Sequence, residues 1–101
     1  MTKEVKEKWL KKLRSGRFEQ GKFNLKNDGK YCCLGVLCTV DSTGKNYLRR
    51  QSRIDENEEH IDLLLEHYGL SVSEQKQLIS MNDDENNTFA EIADWIEENV
   101  N

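Results

Sequence analysis

The most apolar stretch of this 101-residue chain reads Cys33-Leu34-Gly35-Val36-Leu37-Cys38-Thr39-Val40. A membrane span needs about 18–20 apolar residues, so a stretch of this length predicts one buried element instead. Periodicity over so short a run leaves a strand and a helix both open. We favour a short buried helix from about Leu34 to Val40, directly after a predicted strand.

The segment before this stretch alternates apolar and polar residues, which is typical of a strand. Four of the apolar residues, Phe23, Leu25, Tyr31 and Cys33, fall at odd positions, and Phe18 precedes them at an even one. Asn27-Asp28-Gly29 supplies turn residues that tolerate a positive φ. We predict a hairpin of about Lys22–Lys26 and Lys30–Cys33 that packs against helices, because two strands alone are only marginally stable.

Apolar residues at helical spacing predict four further helices. Thr2 caps the first, and Ser71 with Glu74 and Thr88 with Glu91 have the spacing of capping boxes. The four predicted helices are about Lys3–Arg14, about Glu56–Tyr68, about Glu74–Asn82 and one that starts at Thr88. Residues 41–54 predict an exposed loop with one short strand near Tyr47–Leu48.

Together these elements predict a small, mainly helical α+β fold with a short two- or three-stranded antiparallel sheet. Residues 1–101 form a single domain in this interpretation, since neither a linker nor an internal repeat divides the chain. The first helix, the 33–40 stretch and the last helix should form the core. We expect these side chains inside: Trp9, Leu13, Leu34, Leu37, Leu64, Ile79, Ile92 and Ile96.

The net charge of −4 conceals two halves of opposite sign. Residues 1–53 hold fourteen Lys and Arg against five Asp and Glu, whereas residues 54–101 hold one against fourteen. Three interpretations remain open: the two halves pack against each other, the basic half binds an anion, or the acidic half imitates an anion.

Trp95 falls outside the apolar arc of the last predicted helix. It either packs at the edge of the core or is exposed as an anchor for a partner. The candidate partner-binding residues are Arg49, Arg50, Asp83 and Trp95.

The three cysteines, Cys32, Cys33 and Cys38, are a poor disulfide framework, because two are adjacent and their number is odd. This usage is typical of a reducing compartment. The C-C-x4-C spacing lacks the C-x2-C pairs of zinc sites, and His60 and His67 lie two helical turns apart, so we predict no metal and no cofactor. We favour buried structural thiols, and the alternatives are metal ligation together with one His and reactive thiols at the start of a helix.

Arg14-Ser15-Gly16 and Gln20-Gly21 lie around the loop that follows the first predicted helix. One interpretation is a small polar pocket in which Arg14 and Gln20 bind a phosphate, a carboxylate or a base. The other is a helix C-terminus with Arg14 near the negative end of the dipole. The standard phosphate-binding loops are absent from the sequence. The candidate ligand-binding residues are Arg14, Gln20, Cys32 and Cys33, and no catalytic residue is predicted.

Several blocks of sequence resemble a family of small uncharacterised bacteriophage and prophage proteins. The blocks are Trp9 with Leu13-Arg14-Ser15-Gly16, Phe18 and Gln20-Gly21, then Tyr31-Cys32-Cys33-Leu34-Gly35-Val36-Leu37-Cys38, then Met81-Asn82-Asp83 and Phe89-Ala90-Glu91-Ile92-Ala93-Asp94-Trp95-Ile96-Glu97. The resemblance covers about residues 9–40 and 78–98. This chain departs from it at Lys12, where Ala is usual, and at Thr39, where Asp is usual.

The resemblance implies a phage gene product that works in the host bacterial cytoplasm, and it transfers no activity or cofactor. Our leading prediction is a non-enzymatic accessory protein that binds and modulates a host protein, for example one of a defence system. The alternative is a small-molecule or nucleotide-binding module that sequesters its ligand. A cysteine-dependent hydrolase and a nucleic-acid binder remain open as further alternatives. We expect no membrane association.

Overall fold

The computed structural model describes residues 1–50 and 66–101, and these form a mainly helical structure with one small sheet. Residues 66–68 are also helical, and Gly69 follows them at φ +75°. The predicted small α+β fold is confirmed. The elements are α1 (Lys3–Arg14), β1 (Glu19–Gln20), β2 (Lys26–Asn27), β3 (Lys30–Tyr31), α2 (Cys33–Leu37), α3 (Ser42–Arg50), α4 (Val72–Asp83) and α5 (Phe89–Asn99).

The sheet is mixed, and the prediction of a purely antiparallel sheet is wrong in one pairing. A hairpin is present at the predicted turn, since β2 pairs antiparallel with β3 where Asp28 and Gly29 have positive φ, but its first strand is Lys26–Asn27 and not the predicted Lys22–Lys26. The strand order is β1-β3-β2, and β1 pairs parallel with β3. Because β3 lies between two strands that run in opposite directions, one of its two pairings has to be parallel.

The apolar stretch forms α2, which begins directly after β3 and ends at Leu37, three residues before the predicted end at Val40. Every residue from Cys32 to Cys38 is buried. Gly35 makes this placement possible, because a Cβ atom there would lie 1.8 Å from the carbonyl oxygen of Leu25. The helix backbone therefore packs directly on the backbone that leads into β2.

The prediction of an exposed loop with a short strand is wrong over residues 42–50, which form α3. Asp41 accepts a hydrogen bond from the Gly44 amide at 2.9 Å, as a helix N-cap does. Tyr47 and Leu48 are half-buried and pack against the core. Tertiary packing thus stabilises a helix that a glycine and many polar residues disfavour. Residues 51–54 lie outside the described part of the chain.

The predicted caps Thr2, Ser71 and Thr88 are confirmed, and α4 begins at Val72, two residues before the predicted start at about Glu74. Thr2 accepts a hydrogen bond from the Val5 amide at 3.2 Å. Both predicted capping boxes, which start α4 and α5, are formed. The hydrogen bond from the Thr88 amide lowers the pKa of the Glu91 carboxyl. Of the helix predicted over 56–68, only residues 66–68 lie within the described chain.

The core is formed largely by the residues that the sequence predicts. Six of them are at most 3% exposed, namely Trp9, Leu13, Leu34, Leu37, Ile92 and Ile96. The prediction that Ile79 lies inside the core is wrong, because this residue is half-buried at the core edge. Leu64 lies outside the described residues. Within residues 1–50 and 66–101, no helix has the length and apolar character that a membrane crossing needs.

The substitution Gly35→Ala tests the contact between α2 and Leu25. We expect it to lower the free energy of unfolding by about 3 kcal/mol or more, because a backbone oxygen cannot rotate away from the new methyl group. Urea denaturation measures this loss. The control is Gly29→Ala, where φ is +75° and no atom lies within 4 Å of the new Cβ, so only a strain of about 1–2 kcal/mol is expected. Equal losses in the two variants would contradict this account of α2.

Candidate functional site

The three thiols are buried in the core. Cys32 is 2% exposed, and Cys33 and Cys38 are fully buried. Burial raises the pKa of the Cys32 and Cys38 thiols to about 12 and also raises the pKa of Cys33. Cys32 does lie at the start of α2, where its sulfur accepts a hydrogen bond from the Gly35 amide at 3.4 Å, but desolvation outweighs this contact. The folded chain therefore keeps its thiols protonated at neutral pH.

The buried side chain of Asn82 connects three of the sequence blocks. Its Oδ1 accepts hydrogen bonds from the Gln20 side-chain amide at 2.9 Å and from the Cys33 backbone amide at 3.3 Å. Its Nδ2 donates to the Gly21 carbonyl at 2.8 Å. Trp9 adds a further link, because its indole N–H donates to the Cys33 carbonyl at 2.9 Å. These motif residues therefore hold α1, the sheet, α2 and α4 together.

The structure does not bring Arg14 and Gln20 into one pocket. The Arg14 guanidinium lies 2.8 Å from the Asp94 carboxylate and 3.4 Å from that of Glu97, so it joins α1 to α5. Hydrogen bonds to these two carboxylates raise the pKa of Arg14. Gln20 uses its side-chain amide on Asn82 and on the Asn87 carbonyl, the latter at 2.8 Å. Both predicted ligand-binding side chains thus make contacts within the fold.

The four predicted partner-binding residues lie on three helices. Arg49 and the exposed Arg50 are at the end of α3, and Arg49 lines a groove. Asp83 ends α4 and accepts a hydrogen bond from a backbone amide at 3.2 Å. Trp95 is half-buried and packs against the core. Of these four residues, Arg49 therefore lines a concave surface that a ligand could enter.

A groove of about 390 Å³ is the candidate site, and we call it the basic groove. Four cationic side chains and two aromatic rings surround it. Its described lining residues are Lys12, Phe18, Lys26, Tyr31, Thr39, Lys45, Leu48 and Arg49. They come from α1, the residue before β1, strands β2 and β3, the segment after α2, and α3, so no single segment of sequence contains the site.

The two aromatic rings form one wall of the basic groove. Phe18 and Tyr31 pack edge to face, with ring centroids 5.0 Å apart and ring planes at 90°. A cation lies over each ring, since the Lys12 ammonium is 5.5 Å from the Phe18 centroid and the Lys26 ammonium is 5.4 Å from that of Tyr31. Both rings are only half-buried, so part of each remains accessible.

The basic groove carries concentrated positive charge. Among the described residues, no carboxylate lines it and none lies within ion-pair distance of Lys12, Lys26 or Lys45. Arg49 donates to the Asn46 side chain at 3.3 Å. A cleft of one sign beside low-dielectric aromatic walls focuses the field and attracts anions.

Asp41 fixes the helix that supplies the far side of the basic groove. Its Oδ1 accepts hydrogen bonds from the Gly44 amide and, at 2.8 Å, from the Tyr68 hydroxyl, and its Oδ2 lies 2.6 Å from Nε2 of His67. Burial alone raises the pKa of Asp41, but these hydrogen bonds outweigh it and lower that pKa. Burial also raises the pKa of Tyr68. Lys45, Leu48 and Arg49 on α3 thus have a fixed position.

Sequence reasoning missed the basic groove because its residues are far apart in the chain. Phe18 and Tyr31 looked like core residues, and the lysines looked like ordinary solvated side chains. The excess of cations in residues 1–53 was the available signal. The two positions that depart from the resembled pattern, Lys12 and Thr39, both line the groove. Relative to that pattern, one substitution adds a positive charge and the other removes a negative one.

Metal ligation was another possibility for the cysteines and histidines. Within residues 1–50 and 66–101, no group of three or more His, Cys, Asp or Glu side chains has an arrangement that could hold a metal ion. His67 is engaged with Asp41, and His60 lies outside the described residues.

Alkylation by iodoacetamide at pH 7 tests the burial of the thiols. We expect the folded protein to react at least about 100-fold more slowly than the protein in urea, because a pKa near 12 leaves little thiolate and burial excludes the reagent. Mass spectrometry counts the modified cysteines. The variant Thr43→Cys, which adds an exposed thiol on α3, is the positive control. Rapid labelling of a native cysteine in the folded wild type would contradict this expectation.

The lowered pKa of Asp41 predicts a pH dependence of stability. Because the folded state favours the carboxylate, the stabilisation is complete above the ordinary pKa of 3.8 and is lost as the pH falls through the lower folded value. Asp41→Asn keeps an acceptor for Gly44 and Tyr68 but does not titrate. We expect the stability difference between wild type and Asp41→Asn, measured by urea denaturation, to shrink as the pH falls below about 4. A difference that is independent of pH would contradict the role of this carboxylate.

Comparison with known proteins identifies a family for this chain. A search of the curated proteins finds no match, and a search of the solved structures finds none either. Residues 1–71 match the family model DUF8296, a domain of unknown function. The matched range contains every described residue that lines the basic groove, from Lys12 to Arg49, whereas α4 and α5 follow it. The match covers well over half of the chain, and the chain therefore belongs to the DUF8296 family.

Proposed function

We propose that this protein is a non-enzymatic binding protein that holds a nucleotide or a similar phosphorylated, planar small molecule in the basic groove. The observation that carries the proposal is the convergence of four cations and two aromatic rings on one concave surface. The cations can donate charge-assisted hydrogen bonds to phosphate groups, and the aromatic rings can stack on a flat base.

The charges around the groove support a phosphorylated ligand. Lys12, Lys26 and Lys45 have no carboxylate partner among the described residues, so a bound phosphate does not have to displace one. Arg49 offers a planar fork that can donate two parallel hydrogen bonds to phosphate oxygens. Binding then replaces mutual repulsion among the cations with attraction to the ligand.

The aromatic wall supports a planar group beside the phosphate. The ammonium groups of Lys12 and Lys26 lie over the rings of Phe18 and Tyr31 in the free protein. Each ammonium is carried by a flexible four-carbon stem. When a phosphate attracts these groups, the ring faces become available for stacking with a base. Lys12 and Lys26 would therefore bind the phosphate and, by leaving the rings, expose the stacking surface.

The size and chemistry of the groove support storage of a small ligand. A volume of about 390 Å³ lies at the small end of the range of about 300–1,000 Å³ that is typical of small-molecule sites. The described lining consists of four cations, two aromatic rings, a threonine and a leucine, and these groups suit the retention of a charged, planar ligand. In the host cytoplasm that the resemblance implies, such a protein sequesters a phosphorylated signal stoichiometrically.

Calorimetric titration with AMP, ATP and inorganic phosphate at about 50 mM salt tests this proposal. We expect ATP and AMP to bind with a stoichiometry near one and more tightly than phosphate. Lys12→Ala should weaken nucleotide binding about tenfold, the typical effect of losing one charge-assisted hydrogen bond. Lys11→Ala is the matched control, because Lys11 is exposed on the same helix, carries the same charge and does not line the groove. Its loss should change affinity less than twofold.

The variant Lys12→Ala/Thr39→Asp removes one positive charge from the groove and adds one negative charge, and it should abolish measurable nucleotide binding. Equal effects of Lys11→Ala and Lys12→Ala would contradict the groove as the site. Failure of both nucleotides to bind the wild type would overturn the proposal. Tight binding of a single-stranded oligonucleotide with a steep salt dependence, without binding of mononucleotides, would replace it with a nucleic-acid function.

A further inference from the structure

Phe23 combines two features that destabilise a folded chain. Its side chain is 62% exposed, and among the described residues only Val72, at 41%, is another exposed large hydrophobic residue. Its backbone has φ +66°, in the left-handed region that bulky residues disfavour. A glycine or an asparagine at this position would relieve both costs. Neither the core nor the basic groove uses the ring.

The end of α4 holds Phe23 in this conformation. The Asp83 carboxylate accepts a hydrogen bond from the Phe23 amide at 3.2 Å, and Asn82, which is 1% exposed, donates to the Gly21 carbonyl at 2.8 Å. Lys22, which lies between Gly21 and Phe23, donates to the Asn86 side chain. Asn82 also donates to Asp83 at 2.8 Å and thereby orients the carboxylate. Gly21 and Phe23 are thus bound to the last two residues of α4, Lys22 is bound to the segment that follows it, and the ring is exposed.

The surface beside the ring is acidic. Asp83 is followed by the exposed residues Asp84 and Glu85, and Lys22 is the cation that contacts this segment within the described chain. An exposed aromatic side chain with a charged border is the usual form of an interface anchor. A backbone that is already fixed loses little conformational entropy on binding, which strengthens association.

We propose that Phe23 is the anchor of a protein-docking surface, and that its partner is a protein with an apolar pocket bordered by Lys or Arg side chains. The pocket receives the ring, and its basic border faces Asp84 and Glu85. This surface is distinct from the basic groove and goes beyond ligand binding. It gives the predicted interaction with a host protein a specific location, in which the predicted partner residue Asp83 positions the anchor.

The first test asks whether the fold needs the ring. In Phe23→Asn the exposed ring is removed and the new residue tolerates a positive φ. The melting temperature of this variant should therefore equal or exceed that of the wild type. A fall of several degrees would show that the ring stabilises the fold and would overturn the anchor proposal.

The second test identifies what the ring contacts. The photo-reactive residue p-benzoylphenylalanine replaces Phe23 in the full chain, expressed in a bacterial host, and in a matched control it replaces Val72. We expect a discrete adduct with one protein at position 23 and none at position 72. The purified partner should bind the wild type at least tenfold more tightly than Phe23→Asn, and Asp84→Lys/Glu85→Lys should weaken binding by a similar factor.

The remaining outcomes would overturn the proposal. Absence of a discrete adduct at position 23, or the same adducts at both positions, would show that the ring has no specific partner. An adduct with a second copy of this chain would replace the proposed partner with self-association. Unchanged affinity after Asp84→Lys/Glu85→Lys would refute the basic border.

Discussion

The buried amide of Asn82 meets a requirement that the start of α2 creates. A helix leaves its first backbone amides without partners inside the helix, and α2 starts in the core, away from water. Asn82 accepts from the Cys33 amide, and Cys32 accepts from that of Gly35. The same Asn82 side chain binds Gln20 and Gly21, so it joins the sheet to α4 as well. An unsatisfied group in this place costs about 1–3 kcal/mol, which explains a polar residue that is 1% exposed.

Once α2 is fixed in this way, the surroundings of the basic groove are fixed as well. Close contact at Gly35 places the backbone that leads into β2 against the helix, and β3 enters α2 directly. Lys26 on β2 and Tyr31 on β3 are therefore cross-strand partners, and Tyr31 packs against Phe18. After α2, Asp41 holds α3 through Gly44 and Tyr68. The groove is the space that remains between these rigid parts.

The motif residues stabilise the fold, whereas other residues form the candidate functional surfaces. The residues with the most distinctive pattern, including Trp9, Gln20 and the cysteines, make buried contacts that hold the elements together. Arg14 joins α1 to α5 by ion pairs. The groove cations and Phe23 belong to no recognisable motif. A pattern in sequence therefore indicated packing here, and the candidate functional surfaces had to be found from exposure, charge and backbone conformation.

The amino-acid sequence by itself determined what depends on neighbouring residues. The helix starts at Thr2, Ser71 and Thr88, the hairpin turn at Asp28 and Gly29 and the burial of the apolar stretch are local properties, because capping, turn conformation and hydrophobicity act over a few positions. Only the tertiary structure decided the parallel pairing of β1, the helical state of 42–50, the basic groove and the presentation of Phe23. These features join residues that are tens of positions apart, and no local propensity specifies which distant side chains will meet.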